Sequence, residues 1–145
     1  MGLFNKLFGA SGDKDDVYED DNYINTIVDH SKDEPLGISN KNLIYAGYSE
    51  LGGYYYIQTY IIGQLKVKTK TGAKLHIEGD NYSFKLNSDM TELESESADR
   101  FKGYVTKIDF EIEKEAVDKI SKSTIKTLTF TTKKDKVIFT KYKSQ

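Results

Sequence analysis

The sequence has no cysteine and no tryptophan, a single proline and only two histidines among its 145 residues. Without cysteine, the chain cannot form disulfides, thiolate zinc sites or a cysteine nucleophile. No apolar run approaches the 18 residues of a membrane-spanning helix, and the first twelve residues lack the long apolar core and A-x-A-like cleavage site of a secretory signal. We therefore expect a cytoplasmic protein. The single arginine beside many lysines and tyrosines predicts a bacterial source.

Signatures of catalysis and cofactor binding are also missing. The chain has no H-E-x-x-H, no G-x-S-x-G, no Walker loop and no G-x-G-x-x-G. An acidic run that begins at Asp13 has Val17, Tyr18 and Ile24 at the places where a calcium loop needs a ligand, a glycine and a glutamate. His30 lies in a polar stretch and His76 on the outward face of a predicted strand, as surface histidines do. We expect no metal and no cofactor, and we favour a non-catalytic role.

Charge divides the chain unevenly. Residues 1–35 hold nine acidic and three basic residues, whereas residues 101–145 hold six acidic and eleven basic ones. A partner-binding tail has this asymmetry, and so does an arm that lies loosely near its own basic end. We predict a short amphipathic segment and an acidic, flexible arm over residues 1–35, followed by a single domain over residues 36–145.

The amphipathic segment occupies residues 1–9. It places Leu3, Phe4, Leu7 and Phe8 on one face of a short helix that ends before Gly9. Such a short helix needs a surface on which to dock. Its own domain, a partner protein and peripheral contact with a membrane all remain open as that surface.

Most of residues 36–145 alternate apolar and polar side chains with the period of two that is typical of strands. A hairpin is expected around Gly72, a loop over residues 87–103, and a helix over residues 113–122, where apolar side chains form one stripe. We predict a mainly β, β-rich α+β fold: an antiparallel sandwich or strongly curled sheet of about seven to eight strands with one short helix near 113–122.

The stretch "LGGYYYIQTYIIG" over residues 51–63 is the most unusual part of the chain. As a strand it is apolar on both faces, which predicts a position in the middle of the sheet. Its paired glycines precede a strand, so we expect a turn or bulge there. Tyr54, Tyr56 and Tyr60 share one face and are candidate contacts for a ligand or partner.

Two functions fit these patterns. The first is a non-catalytic protein-interaction domain that binds another protein through the tyrosine strand, the 87–103 loop or residues 1–9. The second is a small-molecule or lipid-binding barrel, with or without hydrolytic activity, whose cavity is lined by tyrosines 54, 56 and 60. Nucleic acid is not expected, because the pI is near 5.7 and the chain has no RNP-like motif. The sequence leaves the oligomeric state open.

Overall fold

The computed structural model describes residues 23–143. Within these residues the chain forms two helices and eleven strands. The helices are α1 (Tyr23–His30) and α2 (Lys114–Lys122), and the strands are β1 (Gly37–Ile38), β2 (Asn42–Leu51), β3 (Tyr54–Gly63), β4 (Lys68–Thr69), β5 (Lys74–Gly79), β6 (Ser83–Asn87), β7 (Leu93–Glu94), β8 (Glu96–Ser97), β9 (Tyr104–Ile112), β10 (Ile125–Thr131) and β11 (Lys136–Lys141). Neither helix has the length and apolar character needed to cross a membrane.

Nine of the strands form one antiparallel sheet in the order β6-β5-β10-β11-β1-β2-β3-β9-β8. The sheet curls so strongly that its two ends meet. Just beyond β6, Ser88 bridges to Phe110 of β9, and the Asp89 N–H donates to the Asp109 carbonyl at 2.8 Å. This architecture confirms the predicted mainly β fold with a strongly curled antiparallel sheet, with more strands than expected because several are only two residues long.

The main core fills the inside of this curl. Its largest fully buried side chains include Phe110, Phe130 and Phe139, each of which contributes about 1.5–3 kcal/mol of stability through burial. Helix α2 covers one end of the core with Ala116 and Ile120. The sequence predicted this helix, and its glutamate in the first turn and lysines in the last turn match the helix dipole.

Helix α1 packs on the outside of the sheet, over a second apolar cluster. Tyr23 and Ile27 are buried there against side chains that include Leu43, Ile62 and Phe101. The Tyr23 hydroxyl donates to the Lys102 carbonyl at 3.0 Å, and burial raises the pKa of Tyr23 to about 12. The sequence analysis did not predict this helix, which lies inside the stretch 1–35 described there as an arm. Residues 1–22 lie outside the described residues, so the rest of that description stays a prediction.

The strand pairing around Gly72 differs from the expected hairpin. Gly72 has a positive φ of 80°, as expected for a turn, but β4 pairs with β7 and β5 lies between β6 and β10. The pairing with β10 brings Leu75 opposite Phe130 and Ile77 opposite Leu128. Burial of these apolar pairs inside the curl therefore decides which strand β5 joins, and local turn chemistry does not. Strands β7 and β8 also fall within residues 87–103, where the sequence predicted a loop.

Candidate binding surface

The hairpin of β2 and β3 becomes more exposed toward its tip. In β2, residues 42–45 are buried and nearly all of residues 46–51 are exposed. In β3, Tyr54 is exposed, the next two residues are half-buried, and the strand is buried or half-buried from Ile57 onward, where it pairs with β9. Gly52 and Gly53 join the strands with φ values of 60° and 85°, and two positive φ values in a two-residue loop are the signature of a type I′ turn. The paired glycines thus form a tight turn at the tip of a hairpin in which the outer half of β2 is exposed.

Two large apolar side chains lie next to each other at this tip. Leu51 pairs with Tyr54 across the turn, and their side chains are 75% and 71% exposed. A third large hydrophobic residue, Tyr48, is exposed on the opposite face of the same hairpin. We call Leu51 and Tyr54 the hairpin tip. Contiguous apolar exposure of this kind commonly marks an interaction site.

The three candidate tyrosines lie on the outer face of the sheet. Alternation along β3 directs Ile57 and Ile61 into the main core, so Tyr54, Tyr56 and Tyr60 point the other way. Tyr60 is half-buried against the cluster beneath α1, and about 20 Å of strand separates it from Tyr54. The structure brings Tyr54 and Tyr56 together near the tip and leaves Tyr60 apart. The other candidates, Leu3, Phe4, Leu7 and Phe8, lie outside the described residues.

Carboxylates surround Tyr56. Glu111 lies directly opposite it on β9, and Asp109 is two residues further along that strand, opposite Gln58. Partial burial, followed by the negative charges of Asp89 and Glu111, raises the pKa of the Tyr56 hydroxyl. One oxygen of Asp109 is buried and has no hydrogen-bond partner among the described residues. The tyrosines near the tip therefore lie in a negatively charged environment, which the sequence analysis missed because Asp89 approaches β9 only after the sheet has curled.

A groove opens between β6 and β9 beside the hairpin tip. It has a volume of about 620 Å³. Tyr55, Phe84, Leu86, Ile112 and Ala116 form its apolar floor, and all five belong to the main core or pack against it. Tyr54 and Gly53 line the end of the groove nearest the tip. The hairpin tip and the groove therefore form one continuous surface.

The two histidines make local contacts. On β5, His76 Nε2 lies 2.6 Å from the Ser83 hydroxyl and Nδ1 lies 3.5 Å from Glu78. His30 Nδ1 lies 2.8 Å from the carbonyl of Thr26 within α1. Across residues 23–143, no group of three or more histidine, aspartate or glutamate side chains is arranged to hold a metal ion.

Comparison of the chain with models of protein families, with curated proteins and with solved structures finds no significant match.

Proposed function

We propose that this protein is a non-catalytic protein-interaction domain and that it binds a partner through the hairpin tip and the acidic surface beside it. The observation that carries the proposal is the exposure of Leu51 and Tyr54 side by side on a rigid two-residue turn. An apolar pair held on a tight turn loses little conformational entropy when it is buried by a partner. Tyrosine is also among the residues that contribute most to binding at protein interfaces.

Charge indicates what kind of partner fits. Asp89, Asp109 and Glu111 lie around Tyr56, and Glu113 and Glu115 follow at the beginning of α2. A basic protein surface would complement these carboxylates and would be steered toward them before contact. The same proposal keeps the sequence-based expectation of a bacterial cytoplasmic protein, which is supported by the composition of the chain.

The position of the tyrosines does not support the alternative of a carrier with a tyrosine-lined cavity. Tyr54, Tyr56 and Tyr60 point away from the inside of the curl, and that space is occupied by the buried side chains of the main core.

Site-specific photo-crosslinking tests the proposal. A photoreactive amino acid replaces Tyr56, and the full chain is irradiated in the cells that express it naturally. We expect one dominant protein adduct, identified by mass spectrometry as a protein with a basic surface. Leu51→Ser should reduce its yield by at least about fivefold, since truncation of an interface anchor costs more than about 1 kcal/mol.

Ile138→Ser is the matched control, because Ile138 is also a large exposed apolar residue, 53% accessible, but lies on β11. It should leave the adduct unchanged. Equal yields in the two variants, or a spread of adducts without a dominant protein, would show that the hairpin tip is not a binding site.

A further inference from the structure

β6 is the end strand of the sheet. Two backbone hydrogen bonds, one at each end of β6, show which of its residues bond to β5 and which face away from it. The Gly79 N–H donates to the Tyr82 carbonyl at 3.0 Å, and the Ser88 N–H donates to the Ala73 carbonyl at 2.9 Å. In an antiparallel ladder every second residue bonds to the same neighbour. Even-numbered residues of β6 therefore bond to β5, and the backbone groups of Ser83, Lys85 and Asn87 face the opposite side.

β9 forms the other wall of the groove. Every second residue of β9 directs its backbone N–H and C=O groups toward this wall. The Ala98 N–H donates to the Gly103 carbonyl, and the Asp109 carbonyl accepts from Asp89. Odd-numbered residues of β9 therefore direct their backbone groups toward this edge. The bridge between Ser88 and Phe110 therefore uses the Glu111 N–H and the Asn87 carbonyl, and only the part of β6 before Asn87 faces the groove without a strand partner.

The two walls begin as neighbours and then separate. The bridge between Ser88 and Phe110 sets a register that would next pair Asn87 with Glu111 and Lys85 with Glu113. Neither pair belongs to the sheet, and the groove lies at this place instead. β9 ends at Ile112 and the chain enters α2, so β6 loses its partner. The result is an edge strand in which the outward backbone groups of Ser83 and Lys85 have no strand partner among the described residues, beside an apolar floor.

The side chains of the groove indicate which sequence would fit as an added strand. Residues that point to the floor would contact Phe84 and Leu86 and must be apolar. Residues that point outward would meet Glu111 and Glu113, with Lys85 as the basic side chain on the rim. Glu115 is also on the rim, 3.4 Å from Lys119, which offsets its charge. The remaining excess of negative charge favours lysine or arginine at the outward positions.

We propose that the groove takes an extended segment of the partner protein as an additional β-strand on β6, and that this segment alternates apolar with basic residues. The inference rests on the proposed function, and it adds the mode of binding and the sequence class of the bound segment. Strand addition supplies affinity through backbone hydrogen bonds and specificity through alternate side chains. The acidic stretch 1–35 of the same chain has the wrong charge for this groove, so a partner is the better occupant.

Titration of the ¹⁵N-labelled full chain with a heptapeptide that alternates valine and lysine tests the proposal by NMR. We expect the amides of Ser83 and Lys85 to exchange with solvent about tenfold more slowly when nine-tenths of the sites are filled, because only the free fraction then exchanges. Phe84 and Leu86 already bond to β5 and should change little. A heptapeptide with glutamate in place of lysine should bind at least about fivefold more weakly.

Two substitutions at one position separate backbone from side-chain binding. Lys85→Pro removes an N–H that the sheet does not use, which an edge strand tolerates, and should weaken binding of the valine-lysine peptide about tenfold. Lys85→Ala keeps the N–H and should bind at least as well as the wild type. Should Lys85→Pro fail to fold in circular dichroism, Glu111→Lys replaces it. This charge reversal should weaken binding about fivefold, with Glu96→Lys on β8 as the control that has no effect.

The outcomes distinguish this proposal from the proposed function. Unchanged exchange at the amides of Ser83 and Lys85 at millimolar peptide, or equal binding by the proline and alanine variants, overturns strand addition. The cross-link from the hairpin tip does not depend on that result, so a partner that still cross-links would bind there by another mode. Loss of the cross-link alone would instead overturn the interaction through the tip.

Discussion

Replacement of Ile27 by alanine measures how firmly α1 belongs to the domain. The Ile27 side chain is 1% exposed and packs in the cluster that also contains Leu43, Ile62 and Phe101. The substitution removes three carbons from a site closed on one side by the sheet. Isoleucine-to-alanine changes in such sites lower the free energy of unfolding by about 2–5 kcal/mol. This cost is the sum of the lost burial of the removed carbons and the free energy of the cavity that they leave.

The lower part of that range applies here. A single helix covers the outer face, and one eight-residue helix can shift to reduce the cavity more easily than a strand in the core. We therefore expect the free energy of unfolding to fall by about 2–3 kcal/mol, and the Tm to fall by roughly 10 °C for a domain of this size. Urea denaturation of the full chain, monitored by circular dichroism, gives the urea concentration at the midpoint and the slope of the transition, and together these give the free energy of unfolding.

Asn25→Ala is the matched control, because Asn25 lies on the same helix and is exposed. It should change stability by no more than about 0.5 kcal/mol. If Ile27→Ala costs as little as the control, α1 does not pack on the sheet in solution, and the Tyr23 hydroxyl does not donate to the Lys102 carbonyl either.

Two further substitutions test local features of the fold. Tyr23→Phe removes the hydroxyl that donates to Lys102 and should cost about 1 kcal/mol at pH 7. Because the pKa of Tyr23 is raised to about 12 in the folded state and is near 10 in the unfolded chain, its contribution is complete below pH 10 and falls as the pH rises toward 12. Wild-type stability should therefore drop more than that of Tyr23→Phe between pH 8 and pH 11 in urea titrations, and parallel curves would contradict the burial of the hydroxyl. Gly63→Ala should destabilise by more than about 2 kcal/mol, because Gly63 has a φ of 152° and an added Cβ would collide with the Lys41 carbonyl. Gly47→Ala, which meets no atom within 4 Å, is the control for thermal melting, and equal melting of the two would contradict the packing at Gly63.

Local periodicity was sufficient to predict the parts of the fold that depend on local sequence. Strands β9 and β10 lie in the region whose alternation predicted strands, and α2 has one apolar stripe with charges that suit its ends, so the helix predicted over 113–122 lies close to its observed bounds. Helix α1 has the same kind of signal, with Tyr23, Ile24, Ile27 and Val28 on one face. The carboxylates that precede it led to its assignment to a solvated arm.

Local periodicity could not predict which distant strands pair in the sheet. The partner of β5 and the contact of Asp89 with Asp109 depend on which apolar faces meet inside the curl, and residues separated by 20 or more positions decide that. For the same reason, the sequence could indicate the tyrosine face and the turn at Gly52 and Gly53, but not the groove beside them. The groove exists only because the two ends of the sheet come together.

The groove follows from a conflict between two requirements on residues 111–116. Pairing with β6 would require this stretch to continue as a strand, opposite Asn87 and Lys85. Closing the end of the core requires Ala116 and Ile120 to lie close together on one side of the chain. A helix places residues four apart about 6 Å from each other along its axis, whereas a strand places them about 13 Å apart. Covering the core buries apolar surface, whereas pairing β6 with β9 would replace backbone contacts to water by hydrogen bonds of similar free energy. The helix therefore prevails, and β6 keeps a free edge directly beside the exposed hairpin tip, where a partner strand can supply the missing pairing without displacing any part of the core.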